Sequence, residues 1–297
     1  HLLSRLREEA TRRSLRPLVV TFDRHPKLAL GGKLELLMDL PERLRTLESL
    51  GFDVVVVPFT PEVSSLSACQ FAEEYLVKIL GMKLLVLGYD NRFGNRQHDD
   101  FAQLDRLGFE VVHDEPVAVE GITVSSTKVR QALQEGHVEL AEKLLSQRYS
   151  VGGKVVHGRH VGTEIGFPTA NVQVTDLLLP KEGVYAVTAQ VEGFPGSLSG
   201  MVNIGPQPTF GSDTKTVEVN LFTPCGDLYD RHLTLSFVAR LRDIRRFDSP
   251  IALIEQLRRD KETALGLLRK HLKTILLVLL IFPIPYSLFP SLRAQPD

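Results

Sequence analysis

With 297 residues, the chain has room for about two domains, each able to bury a core without disulfide staples. Its 35 Lys+Arg against 36 Asp+Glu give a formal net charge of −1, which argues against a general nucleic-acid binder. A composition of 43% hydrophobic and 24% charged residues excludes a disordered chain.

The start, His1-Leu2-Leu3-Ser4-Arg5, carries no apolar leader, so secretion is not expected. Leu18-Val19-Val20-Thr21-Phe22 reads as a buried strand, and residues 41–50 as a helix stopped by Gly51. Asp53-Val54-Val55-Val56-Val57 has the valine run of a strand covered on both faces. A helix over 68–80, a strand over 83–88, a helix over 100–107 and a strand over 109–113 follow. Strand alternating with helix predicts an open α/β sheet, which binds ligands at the carboxyl ends of its strands. After Tyr149 the pattern becomes β-rich, with strands expected over 151–157, 183–191, 200–204, 216–222 and 232–238. Gly, Pro and Asp separate them, as in an antiparallel sheet or small barrel. A helix over 250–272 is expected next, capped by Asp248 or Ser249 with Pro250 in its first turn. The apolar run 275–282 is short and followed by Pro283, Pro285 and Pro290, so it is not expected to span a membrane. Cys69 and Cys225 stand far apart without a His/Cys cluster, which predicts neither disulfide nor zinc centre and suits a reducing, cytoplasmic compartment.

Four segments carry candidate chemistry. Ser125, Ser126 and Thr127 precede a helix that includes Arg130; hydroxyls, free N–H groups and a guanidinium suit a phosphate, although a plain capped helix has the same look. The loop 88–94 follows a strand and offers Asp90 to a base, ribose or metal. Gly158, Gly162 and Gly166, evenly spaced in a basic loop, can wrap a polyphosphate with backbone N–H groups. Thr169 and Asn171 beyond them offer neutral oxygens suited to Mg²⁺ that keeps water and phosphate ligands. The spacing is not that of a P-loop, and a glycine-rich hairpin remains the alternative. In the strand 216–221, Glu218 shares a face with Thr216 and Asn220; it is either a general base toward a hydroxyl or a solvent-facing acid.

Taken in order, these segments resemble the bacterial bifunctional riboflavin kinase/FMN adenylyltransferase (FAD synthetase) family over residues 1–270. The further residues that carry the likeness are Thr21-Phe22-Asp23-Arg24-His25-Pro26, Gly183-Val184-Tyr185-Ala186, the stretch 203–210 beginning Asn203-Ile204-Gly205-Pro206, and the stretch 242–247. The resemblance implies a Rossmann-like nucleotidyltransferase domain over 1–148, then a small split β-barrel riboflavin kinase domain with a C-terminal helix over 149–272. Residues 273–297 form an atypical apolar tail outside it. It further implies ATP-dependent phosphorylation of riboflavin to FMN, with Glu218 as catalytic base, and Gly158, Gly162, Gly166, Thr169 and Asn171 at ATP. Thr169 and Asn171 become the Mg²⁺ ligands, and Arg242 and Phe247 flank the flavin. In the front half it implies adenylylation of FMN to FAD, with Asp90, Ser125, Ser126, Thr127 and Arg130 toward the nucleotide phosphates.

The family opens with a strand and a G-x-F-D-G-x-H-x-G-H segment whose histidines hold the ATP phosphates. That segment has no counterpart here, and His1 aligns beyond its second histidine. The first strand is therefore expected to be missing and FAD formation by this chain to be impaired. Expected partners are the small molecules riboflavin, FMN and ATP, with no nucleic acid and no membrane. Two other classes fit parts of the pattern: a non-catalytic flavin- or nucleotide-binding regulatory module, and another small-molecule adenylyltransferase. The former has no need of a general base, and the latter leaves the β-rich half without a place.

Overall fold

A computed structural model of the chain describes residues 1–89, 93–94, 101–157, 165–206 and 215–281. Two compact units emerge, one of His1–Lys128 with Asp176–Leu178, the other of Val129–Thr175 with Leu179–Asp297.

The first unit runs α1 (Leu2–Arg12), β1 (Leu18–Phe22), α2 (Pro26–Ala29), α3 (Leu40–Ser49), β2 (Asp53–Val57), α4 (Pro61–Ser65) and α5 (Ala68–Phe71). It continues through a π-helix (Ala72–Ile79), β3 (Leu84–Leu87), a 3-10 turn (Phe101–Leu107), β4 (Glu110–His113), and the short hairpin β5 (Ala118–Val119) and β6 (Ile122–Thr123). Local chemistry sets the helix starts: Asp39 accepts a hydrogen bond from the Glu42 amide at 2.8 Å, and Ser67 with Gln70 forms a reciprocal capping box. The single helix expected over 68–80 is α-helical only to Phe71, where Phe71 packs on Phe22, Tyr75 and Phe93 and the wider π turns begin.

The strands are parallel, as expected, but pair two by two: β1 with β2 and β3 with β4. All of β1 and the first three residues of β3 are only half-buried, consistent with strands whose ladder is filled along one edge. Both pairs nonetheless rest on one apolar cluster built around Val57, Phe71, Ala72, Leu76, Leu104 and Phe109. In α1, Glu9 is buried and ion-paired with Arg5, Arg12 and Arg13. Arg13 also reaches Glu110 on β4, which fastens the helix to the strand.

The second unit takes in most of α6 (Ser126–Glu135), which begins in the first, then α7 (Val138–Leu145). Six strands follow: β7 (Ser150–Val156), β8 (Ala170–Gln173), β9 (Gly183–Val191), β10 (Leu198–Pro206), β11 (Lys215–Leu221) and β12 (His232–Arg242). They close into an antiparallel barrel in the order β10-β11-β8-β7-β12-β9, and a helix, α8 (Pro250–Ile281), ends the described chain. Tyr185, Val187, Ala189, Val202, Ile204, Leu233, Leu235 and Phe237 are fully buried and form its core. On another side Ala186 and Val238 meet Ala264 and Leu268 of α8. Ser249 caps α8 through the Ala252 amide at 3.2 Å, and the helix runs on past the expected 272 to Ile281. β7 and β8 approach closely because Gly153 has no side chain; a Cβ there would lie 2.2 Å from the Gln173 carbonyl oxygen.

Candidate active site

Strand register assembles the site. Glu218 on β11 stands opposite Asn171 on β8 and opposite Asn203 on β10. Residues directly opposite in an antiparallel pair share a face, with Cβ atoms about 5 Å apart. Asn203 pairs in turn with Val184 on β9, Val184 with Arg242 on β12, and Asn171 with Val156 on β7. One row of cross-strand partners therefore runs through all six strands, open between Val156 on β7 and Arg242 on β12, with Glu218 between two amide side chains.

Alternation along β11 buries Val217 and Val219 and leaves Glu218 half-buried on the other face. Thr169, exposed, lies two residues before Asn171, just ahead of β8. Its approach is fixed by Asn220, a buried side chain whose amide donates to the Pro168 carbonyl at 2.7 Å. Gly166 has φ 79° with open space where a Cβ would point, so the backbone turn, not a close neighbour, calls for glycine. Thus Glu218 on β11 comes beside Asn171 on β8, and Thr169 stands just ahead of that strand, although Glu218 is far from both in the chain. Sequence reasoning gave no role to Asn203 or Asn220. The alternation about Glu218 pointed to Asn220, but Asn203 becomes visible only once β10 is aligned on β11.

Arg242 and Phe247 are adjacent but engaged. The Arg242 guanidinium holds the buried carboxylate of Asp260 on α8 at 2.8 Å and lies 5.7 Å from the Phe247 ring centre. Gly158, Gly162 and Asp90 lie outside the described residues. His157, the last described residue before the glycine loop, stacks on Tyr229 with ring centres 3.9 Å apart.

In the first unit, Ser125 caps α6 by accepting from the Lys128 amide at 3.3 Å, and Ser126 and Thr127 stand exposed in the first helical turn. Capping thus occupies one of the three hydroxyls. Arg130 is half-buried and falls in the second unit, one turn further along α6. At the carboxyl end of β1, Asp23 accepts from the Phe59 amide at 2.8 Å, and Arg43 donates to Thr21 Oγ1 at 2.8 Å. Nδ1 of His1 lies 2.7 Å from Oδ2 of Asp114, next to the end of β4. Among the described residues no three His, Cys, Asp or Glu side chains cluster as a metal site.

Residues 1–128 match the FAD synthetase family and residues 145–268 the riboflavin kinase (flavokinase) family. Over 270 residues the chain is 37% identical to the bifunctional riboflavin kinase/FMN adenylyltransferase of Escherichia coli K12, covering 89% of this chain and 86% of that protein. The chain belongs to this bifunctional family. The protein of the same name from Pseudomonas fluorescens is 36% identical over 90% of this chain and 87% of its own length. A crystal structure described as a macrolide-efflux protein from Streptococcus pneumoniae shares the fold, with TM-score 0.79 and 31% identity over 89% of this chain and 88% of that one. Among the described residues no helix is long and apolar enough to cross a membrane. Thr169, Asn171, Asn203, Glu218, Arg242 and Phe247 all fall in the flavokinase region. Ser125, Ser126 and Thr127 fall in the FAD synthetase region, and Arg130 between the two.

Proposed function

We propose that the chain serves FAD biosynthesis, with residues 149–272 phosphorylating riboflavin and residues 1–148 forming the FMN adenylyltransferase domain, followed by a tail over 273–297. The observation that carries the kinase assignment is the register that sets Glu218 between Asn171 and Asn203, with Thr169 two residues from Asn171. In this reading Glu218 accepts the proton of the riboflavin 5′-hydroxyl as that oxygen attacks the ATP γ-phosphorus. The bond between the γ-phosphorus and the β,γ-bridging oxygen breaks, and ADP leaves. A single carboxylate beside amides suits this role, because it receives a proton while the amides hold substrate oxygens without competing charge.

Mg²⁺ fits the same corner. Thr169 is exposed and Asn171 half-buried, two residues apart, and both offer neutral oxygens; such a pair leaves room for phosphate and water ligands. When bound, the ion neutralises charge on the triphosphate. Gly158, Gly162 and Gly166 are assigned to the ATP-wrapping loop, and Arg242 and Phe247 to the flavin side. In the front domain Ser126, Thr127 and Arg130 are assigned to nucleotide phosphate with Asp90, while Ser125 supports the helix as its cap. ATP, riboflavin and FMN are the small-molecule partners, and a cytoplasmic setting matches thiols at Cys69 and Cys225.

The test is direct. Purified chain given riboflavin, ATP and Mg²⁺ is expected to form FMN and ADP in equal amounts, read by chromatography. Tight flavin binding without phosphoryl transfer under those conditions would replace the kinase with a flavin-binding module. FMN supplied with ATP tests the front domain separately, through release of pyrophosphate and FAD.

A further inference from the structure

The segment after β12 has no regular structure until α8 begins, and most of it is exposed. Arg245 within it and Arg242 just before it both lead to one turn of α8. Asp260 is 4% exposed and uses both oxygens: Oδ2 accepts from Arg242 Nε and Nη2 at 2.8 Å, and Oδ1 accepts from Gln256 Nε2 at 2.7 Å. Gln256 then accepts, through Oε1, from the guanidinium of Arg245. Both guanidiniums lie over the Phe247 ring, Arg242 at 5.7 Å and Arg245 at 4.8 Å from its centre. Arg242 also donates to the Asp243 carbonyl at 3.0 Å, and Arg240 to the Asp243 carboxylate at 2.7 Å.

Two cations on one aromatic ring repel each other unless a counter-charge fixes them. Here that charge is buried, fully hydrogen-bonded, and tied to one guanidinium directly and to the other through an amide. A carboxylate in this position determines where the ring stands. We infer that Asp260 is a positioning residue for the flavin side of the kinase site, acting through Arg242 and through Gln256 and Arg245 on Phe247. The inference rests on the assignment of Arg242 and Phe247 to the flavin.

Its test uses the full chain and two readouts, steady-state kinase kinetics and direct titration of riboflavin by quenching of flavin fluorescence. Asp260→Asn keeps the shape and removes the charge. Its riboflavin KM and dissociation constant are expected to rise about tenfold, the order for losing a hydrogen bond to a charged group, with the ATP KM within about twofold of wild type. Asp260→Glu is expected to recover part of the loss. Gln256→Ala, which breaks the Arg245 branch and leaves the Arg242–Asp260 pair in place, gives a smaller rise and keeps the proposal testable if Asp260→Asn does not fold. Phe247→Ala weakens riboflavin in the wild-type background and adds little in the Asp260→Asn background, because both act on one ring. If Phe247→Ala weakens riboflavin but Asp260→Asn and Gln256→Ala lower only the melting temperature, Asp260 is structural and the inference falls while the flavin assignment stands. If Phe247→Ala leaves riboflavin affinity unchanged, the flavin assignment falls and the inference with it.

Discussion

Glu218 is the residue on which the kinase assignment turns. Glu218→Gln preserves size and hydrogen bonding but cannot take a proton, so FMN formation is expected to fall by about 10²–10⁴-fold with substrate affinity largely kept. Single-turnover measurement separates that loss of chemistry from a loss of binding. Asn220 makes a different prediction: replacing it with Ala leaves the Pro168 carbonyl without its donor. That costs about 1–3 kcal/mol of stability and loosens Thr169, so the ATP KM rises while riboflavin affinity holds. At this scale the sequence was informative where chemistry lies along one strand, since alternation alone put Thr216, Glu218 and Asn220 on a common face. It gave Asn203 no place beside Glu218, because a cross-strand neighbour is defined by pairing, which leaves no local mark in either segment. Asp260 was equally hidden: an acid in a charged amphipathic helix looks solvated until its partner from β12 is located.

Elements were legible in proportion to their periodicity. β1 and β9 fall where apolar patterning set them, and Asp39, Ser67 and Ser249 act as caps of the kind their side chains allow. β8 was not separable, because four residues within a tract rich in glycine and proline carry too few apolar positions to show a period. β12 extends four residues beyond the expected 238, with shifts of register between Phe237 and Ala239 and between Arg240 and Arg242 that bend the strand. Two substitutions test these elements. Ser249→Ala removes the α8 cap and is expected to cost about 1 kcal/mol in urea denaturation. Gly153→Ala forces a methyl against the Gln173 carbonyl, so β7 and β8 must separate. It is expected to cost more than the cap and to weaken ATP binding, because Asn171 lies on β8.

Over the whole molecule, the chain forms two compact units that part between Lys128 and Val129, and the FAD synthetase and flavokinase matches follow one another along the chain. The ladder was less predictable: strand–helix alternation does not reveal that β1–β2 and β3–β4 form separate pairs, since edge pairing depends on which strands adjoin in space. Charge supplies a prediction at this scale. Burial would raise the Glu9 carboxyl, but hydrogen bonds from Arg12 and Arg13 hold it below its ordinary value. Asp53, Asp230 and Asp243 are likewise lowered by hydrogen bonds from Arg16, Lys154 and Arg240. Each is depressed in the folded state, so its stabilisation is present above the ordinary carboxylate pKa and is lost as pH falls through the folded value. The melting temperature is therefore expected to decline below about pH 4, and high salt to blunt the contribution of the exposed pairs.

A closed barrel has no loose end at which one strand can slide alone. Shifting β11 by one residue would break its ladders with both β8 and β10, and would turn Glu218 toward the core while bringing a valine to the surface. Intermediate alignments are thus excluded by topology, and the Glu218 carboxylate stays among its amide neighbours for as long as the ring is shut. Damage to the barrel is accordingly expected to shrink the population of competent molecules rather than degrade each molecule's turnover. Active-site titration, set against total protein, distinguishes those two outcomes.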